Sequence, residues 1–226
     1  MIYVFTLLLA FCSIVYELLL GQSLSAFLGN TVLRYSVTIG LYMFSMGIGS
    51  LMAEGRMVKH VVTTLLKVEI LLTITGGFSV ILLLIMDSLG PPEIVFFLFA
   101  HLLIILIGIL TGLEIPLLIE LRNLEVEDSE RSVLGVDYLG AFVGTVVFAF
   151  LFYPVVGLIP TAFMVALLNA FVGICLLTQW RKVHEEQRRS TGTLLGVQVV
   201  LFAVLALLLR SADDVNEVFL NIYLGL

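Results

Sequence analysis

Charge is scarce in this sequence. Only 12% of its 226 residues are Asp, Glu, Lys or Arg, about half the share of a typical soluble domain at ~25%, which excludes an ordinary water-exposed surface. Lys and Arg number 11 against 17 Asp and Glu, a net charge of −6. That balance leaves no basic patch, so nucleic acid is not expected as a partner. There are two cysteines, Cys12 and Cys175, each inside an apolar run, where they read as small core residues and not as a disulfide framework. With three histidines and no His/Cys cluster, neither a metal nor a haem is expected, and no cofactor is implied. HExxH and GxSxG are both missing. Strand-like alternation is not sustained, which argues against a transmembrane barrel.

What remains is apolar: 61% hydrophobic residues and a mean hydropathy of +1.17, in runs of roughly 20 residues, the length that crosses a bilayer. The expected fold is all-α, a polytopic membrane helical bundle of about seven transmembrane helices over residues 1–212. A short amphipathic tail or linker at 213–226 follows. Spans fall at about 2–28, 34–54, 62–86, 94–121, 134–157, 159–179 and 193–210. The first run lacks a basic n-region and is too long for a signal-peptide core, so it reads as a retained span. Nine basic residues (Arg56, Lys59, Lys67, Arg122, Arg131, Arg181, Lys182, Arg188 and Arg189) lie on one side, and Arg34 and Arg210 lie opposite. The positive-inside rule then puts the N-terminus in the cytoplasm and the C-terminus outside, in the cell (inner) membrane.

Small and polar residues recur at helical spacing inside these runs. Ser13, Glu17, Gly21, Ser25 and Gly29 step by four, and Ser36, Gly40, Met43, Gly47, Ser50 and Glu54 follow one seam. Both stripes are expected to pack inward, because small residues let helix backbones approach closely. Glu69, Thr73 and Gly76 share a face, as do Asp137, Gly140 and Gly144, and as do Ala162, Ala166, Asn169 and Gly173. Pro116 removes one backbone hydrogen bond beside Glu114 and is expected to kink its helix. The best helix-start signal lies near Ser132.

Three stretches in this order, CSIVYELLLGQSLSAFLGNTVLRYSVTIGLYMFSMGIGS, GLEIPLLIEL and VLGVDYLGAFVGTVVFAFLFYPVVGL, resemble the membrane portion of the transmembrane spermidine synthase-like (polyamine aminopropyltransferase-like) proteins. Tyr16-Glu17, Glu114-Ile-Pro116 and the Asp137-xx-Gly140-xxx-Gly144 run carry the resemblance. In fused members the spans precede a soluble aminopropyltransferase-like domain that moves an aminopropyl group from decarboxylated S-adenosylmethionine to putrescine. This sequence stops where that domain would begin, and no strand–Gly-rich-loop–helix unit follows. The resemblance therefore implies a membrane module and not a synthase: no catalytic residues and no enzymatic function are expected of this chain alone.

Acids inside spans are functional by default. Glu17 reads as a cation or proton site ahead of a buried, hydrogen-bonded acid. Glu114 and Asp137, with Tyr16 and Tyr138, are the candidates for holding a polyamine-like cation, since ammonium groups use carboxylates and aromatic faces. The plainer readings stand beside these: Glu114 paired with Arg122 or Arg131, and Asp137 favouring a helix N-terminal turn. For Glu69 an ion pair with Lys67 is the simpler reading. His101 with Glu17 would make a proton relay, although a lone satisfied core histidine is the simpler account. The expected function is binding, and further transport, of a polyamine-like cation. The alternative is a non-transporting anchor or regulatory module for an aminopropyltransferase-like domain or partner. The bilayer is the expected surrounding.

Overall fold

The structure, a computed structural model, describes residues 1–126 and 129–211. The tail expected at 213–226 lies outside the described residues. Nine α-helices and no strand occur among the described residues: α1 (Ile2–Leu28), α2 (Thr31–Met52), α3 (Arg56–Lys59), α4 (Val61–Gly77), α5 (Ser79–Ser88), α6 (Glu93–Asn123), α7 (Glu130–Val147), α8 (Leu158–Cys175) and α9 (Arg188–Arg210). Two of them change pitch at their ends. α7 continues as a π-helix over Phe148–Val156, where Pro154 has no N–H to give, and α8 continues as a 3₁₀-helix over Leu176–Lys182. Six helices are long and apolar enough to cross a membrane, or seven if the bent pair α4–α5 counts as one.

The apolar runs are helical because helix satisfies every backbone polar group locally, and the breaks have local causes. Between α1 and α2 the chain reverses through Gly29 (φ 64) and Asn30 (φ 49), two residues that tolerate the left-handed region. Asn30 Oδ1 accepts from the Leu33 N–H at 3.4 Å, and the Ser25 hydroxyl bonds the Thr31 hydroxyl at 2.8 Å. The single span expected at 62–86 is broken at Phe78 with a 40° bend. Gly76 and Gly77 weaken the helix there, and the Ser79 hydroxyl donates to the Gly76 carbonyl at 2.7 Å. α6 runs unbroken through Pro116, and α7 starts at Glu130, two residues before the expected Ser132.

α1 is the central helix, packed by α2, α6, α7 and α8. Within its apolar window 61% of residues are buried, against 11% for α9, which lies at the periphery. Glycines set the tightest crossings. A Cβ on Gly112 of α6 would run into the Met46 backbone carbonyl of α2, and one on Gly49 of α2 into the Ile109 carbonyl of α6. Gly140 and Gly144 of α7 lie as closely on α1 at Leu7 and on Phe11 and Ile14. Gly76 of α4 accommodates the Tyr16 ring, where a Cβ would sit 2.6 Å away.

The seam expected to face inward on α2 faces outward instead. Ser36, Gly40, Met43, Gly47 and Ser50 are exposed, and nothing lies within 4 Å of a Cβ built on Gly40 or Gly47. The packed face is Thr38, Tyr42, Ser45 and Gly49. Tyr42 anchors it: its hydroxyl donates to the Ser13 carbonyl of α1 at 3.1 Å and pairs with the Thr111 hydroxyl of α6 at 2.9 Å. Tyr42→Phe leaves the buried Thr111 hydroxyl without that partner and should cost about 1–3 kcal/mol, read as a lower melting temperature in detergent. An unchanged melting temperature would mean the tyrosine merely fills space.

The helices run up and down, and contacts at each end tie the connections together. At one end the Arg122 guanidinium lies 4.8 Å over the Tyr3 ring. Glu125 pairs with Arg122 at 2.6 Å and with Lys182 at 2.8 Å, and Lys182 also donates to the Leu121 carbonyl at 3.2 Å. The Lys182 ammonium, helped by Arg122, holds the Glu125 carboxyl below the usual carboxylate range. His60 and His184 meet edge to face in the same region. At the other end the Tyr35 hydroxyl donates to Gln22 Oε1 at 2.6 Å and Gln22 Nε2 donates to the Tyr153 hydroxyl at 2.7 Å.

Candidate functional site

α2 and α7 flank α1 and α6, leaving a cleft between them of about 270 Å³. α1 contributes Ser13 and Glu17 to its wall, α2 Met43 and Met46, α6 Thr111 and Glu114, and α7 Asp137 and Tyr138. Met43 and Tyr138 are largely exposed and form the rim, while Glu17 is 8% exposed and Glu114 3%. Three carboxyl groups from three helices thus line one space, and no Lys, Arg or His is among the lining residues. Helical spacing explains how they get there. Glu17 lies one turn after Ser13 on the α1 stripe, Glu114 lies beside the Gly108–Gly112 crossing that draws α2 against α6, and Asp137 precedes the Gly140–Gly144 seam that seats α7 on α1.

Four of the five residues expected to hold a cation, Glu17, Glu114, Asp137 and Tyr138, therefore line the same cleft. Tyr16, the fifth, is 1% exposed and turned into the core behind it, where its hydroxyl has no hydrogen-bond partner among the described residues. His101 is folded onto its own helix. Its Nδ1 is 2.7 Å from the Phe97 carbonyl oxygen and its ring stacks on Phe97 at 3.8 Å. Among the described residues no hydrogen bond or ion pair joins it to Glu17.

Glu69 is where the sequence reading fails. It is fully buried and makes no ion pair with Lys67, which is exposed. Two residues apart on one helix, the two side chains point to different faces. The Glu69 carboxyl instead faces that of Glu114. Behind it runs a file of neutral polar groups: Asn169 Nδ2 donates to the Glu69 carbonyl oxygen at 3.1 Å and to the Thr73 hydroxyl at 3.2 Å, and Gln198 Nε2 donates to the same hydroxyl at 3.3 Å. The signal for this in the sequence was the shared face of Glu69, Thr73 and Gly76, which points away from Lys67.

Chemically, the cleft is a set of acceptors of one charge sign in a low-dielectric wall. Carboxylates buried without a partner are costly, and a proton or a ligand cation relieves that cost. Among the described residues no cluster of His, Cys, Asp and Glu has the geometry to hold a metal ion.

Comparison with known proteins gives the chain its relatives. It is 37% identical over 216 residues to the polyamine aminopropyltransferase of Leptospira interrogans, which covers 94% of this chain and 41% of that protein. It is 34% identical over 195 residues to the polyamine aminopropyltransferase of Oceanobacillus iheyensis, 84% of this chain and 38% of that protein. It is 34% identical over 215 residues to polyamine aminopropyltransferase 1 of Streptomyces coelicolor, 92% of this chain and 39% of that protein. The chain spans about two fifths of the length of these curated relatives. No family model matches it, and no solved structure does. The matches support a spermidine synthase-like family. They also correct the expectation that no enzyme is involved: the proteins aligned across 84–94% of the chain carry the name of an enzyme.

Proposed function

We propose that this chain is the membrane-embedded part of a polyamine aminopropyltransferase, and that its acidic cleft holds a polyamine-like organic cation. The observation that carries the reading is the convergence of Glu17, Glu114 and Asp137 on one cleft free of basic side chains, in a chain similar to proteins named for polyamine chemistry. A cation with several ammonium groups gains from several carboxylates at once. In a low-dielectric wall each such contact is worth more than it is in water, and the Tyr138 ring at the rim adds a face for an ammonium group. The six or seven long apolar helices are compatible with a bilayer. The basic residues gathered at one end favour a cytoplasmic N-terminus.

Thermal unfolding in detergent, with putrescine, spermidine or a simple monoamine at low salt, tests the reading. A ligand present at ~100 times its dissociation constant adds about 2.7 kcal/mol of stability. Spermidine should raise the melting temperature of the wild type and should do so far less for Glu17→Gln. No shift with either polyamine would sink the cation site. Transport is the stronger form of the same proposal, and in reconstituted vesicles it would appear as spermidine flux that Glu17→Gln abolishes.

A second reading is favoured by the length of the relatives, of which this chain aligns with only two fifths. In that reading the bundle anchors or regulates an aminopropyltransferase-like domain or partner without moving its substrate. Spermidine that stabilises the bundle without crossing reconstituted vesicles would favour it.

A further inference from the structure

Glu69 does not line the cleft, and the cation reading gives it no part. It is nevertheless 0% exposed, and neither of its carboxyl oxygens accepts a hydrogen bond from a donor among the described residues. The carboxyl it faces, Glu114, has an unpartnered Oε1 of its own. Among the described residues no ion pair reaches Glu69 or Glu114. α6 offers Glu114, and Asp137 of α7 lies beyond that. α1 offers Cys12, whose thiol donates to the Val165 carbonyl at 3.7 Å, and Tyr16, whose hydroxyl is unpartnered. α8 and α9 offer the neutral amides of Asn169 and Gln198. Lys67 is exposed. Arg56 and Lys59 of α3 lie at the end of the bundle, as does Lys182, which is held by Glu125 and the Leu121 carbonyl.

Two carboxylates facing each other in the low-dielectric interior, with no Lys, Arg or His side chain paired to either among the described residues, cannot both carry charge. We propose that Glu69 and Glu114 share one proton, and that an organic cation entering the cleft at Glu114 exchanges for it. One ammonium group pairs with the ionised pair from the Glu114 side and the proton leaves to water through the cleft, so at the pair one positive charge replaces another. Glu69 is then a proton-holding residue behind the binding wall. This rests on the cation reading above, and it makes binding depend on pH with a definite sign. Uptake of a cation releases a proton, so affinity rises with pH.

Calorimetric titration of the solubilised wild type with spermidine, in two buffers of different ionisation heat, counts the protons released. The expected result is about one proton per spermidine, with affinity rising about tenfold per pH unit. Glu69→Gln should still bind spermidine, with about one proton fewer released and a correspondingly shallower pH profile. Infrared spectra of the wild type need no variant to fold. They should show a carboxylic-acid carbonyl band at neutral pH that spermidine removes. Spermidine binding without proton release, or release that is undiminished in Glu69→Gln, overturns the exchange and leaves the cation site standing. No binding by folded wild type brings down the cation site, and the exchange with it.

Discussion

Gly112→Val should separate α2 from α6 and cost about 3 kcal/mol or more, at the upper end of what overpacking does. The reason is what stands opposite. A Cβ at Gly112 meets the Met46 carbonyl, Cα and carbonyl carbon of α2, and backbone cannot rotate aside as a flexible side chain can. Gly49 faces back toward Gly112 and the Ile109 carbonyl from the other helix, so the crossing has no slack on either side. Gly47→Ala is the matched control. It lies on the same helix pair, but nothing sits within 4 Å of its added methyl, and replacing an exposed helical glycine favours the helix. Melting curves in one detergent should place Gly112→Val far below wild type and Gly47→Ala level with it or above. Equal melting temperatures for the two would mean that the crossing is not as close as described.

Glu114→Gln should weaken spermidine binding about 100-fold, or about 2.8 kcal/mol, within the range for removing one member of a buried charge pair. Glu114 is the central acid. It faces Asp137 on the cleft side and Glu69 behind, and Glu69 cannot take its place because it does not reach the cleft. Glu54→Gln, in the exposed connection just after α2, removes the same formal charge and should leave binding unchanged. Direct titration of both variants separates a local contact from the general pull of an acidic protein. Equal losses in the two would assign the effect to net charge and empty the cleft of its role.

Much of this architecture was legible in the sequence, because run length and Gly/Pro punctuation report on helices directly. The reversal at Gly29-Asn30 and the packed seam of Gly140 and Gly144 both followed from local residue types, although the partner of that seam, α1, did not. The orientation of α2 did not. It carries two seams with small residues, Ser36–Gly40–Gly47 and Thr38–Ser45–Gly49, and in a helix apolar on several sides nothing in the pattern says which one meets protein. Tyr42 decides it, through hydrogen bonds to residues 29 and 69 positions away. Gly76-Gly77 was visible as a pair, but the side chains that pack against it, Tyr16 and Ala166, were not. At the site, the acids could be picked out one at a time. Their convergence could not, because Glu17, Glu114 and Asp137 belong to three helices whose packing is set elsewhere. Glu69 was read from its neighbour in sequence when its neighbour in space was the other carboxyl.

The central position of α1 bears on the order in which the protein can be assembled. α1 precedes in the chain every helix that covers it. The Val165 carbonyl that receives the Cys12 thiol is made 153 residues later, and α7, which closes over Leu7 and Phe11, is also late. Until α6 is made, then, the helix with the most to bury has mainly α2 for company, and until α7 is made the cleft wall opposite Ser13 and Glu17 is incomplete. Contacts so distant along the chain form slowly. A nascent chain halted after α6 would present an unfinished acidic face, the state in which a folding helper or a quality-control protease would have its clearest target.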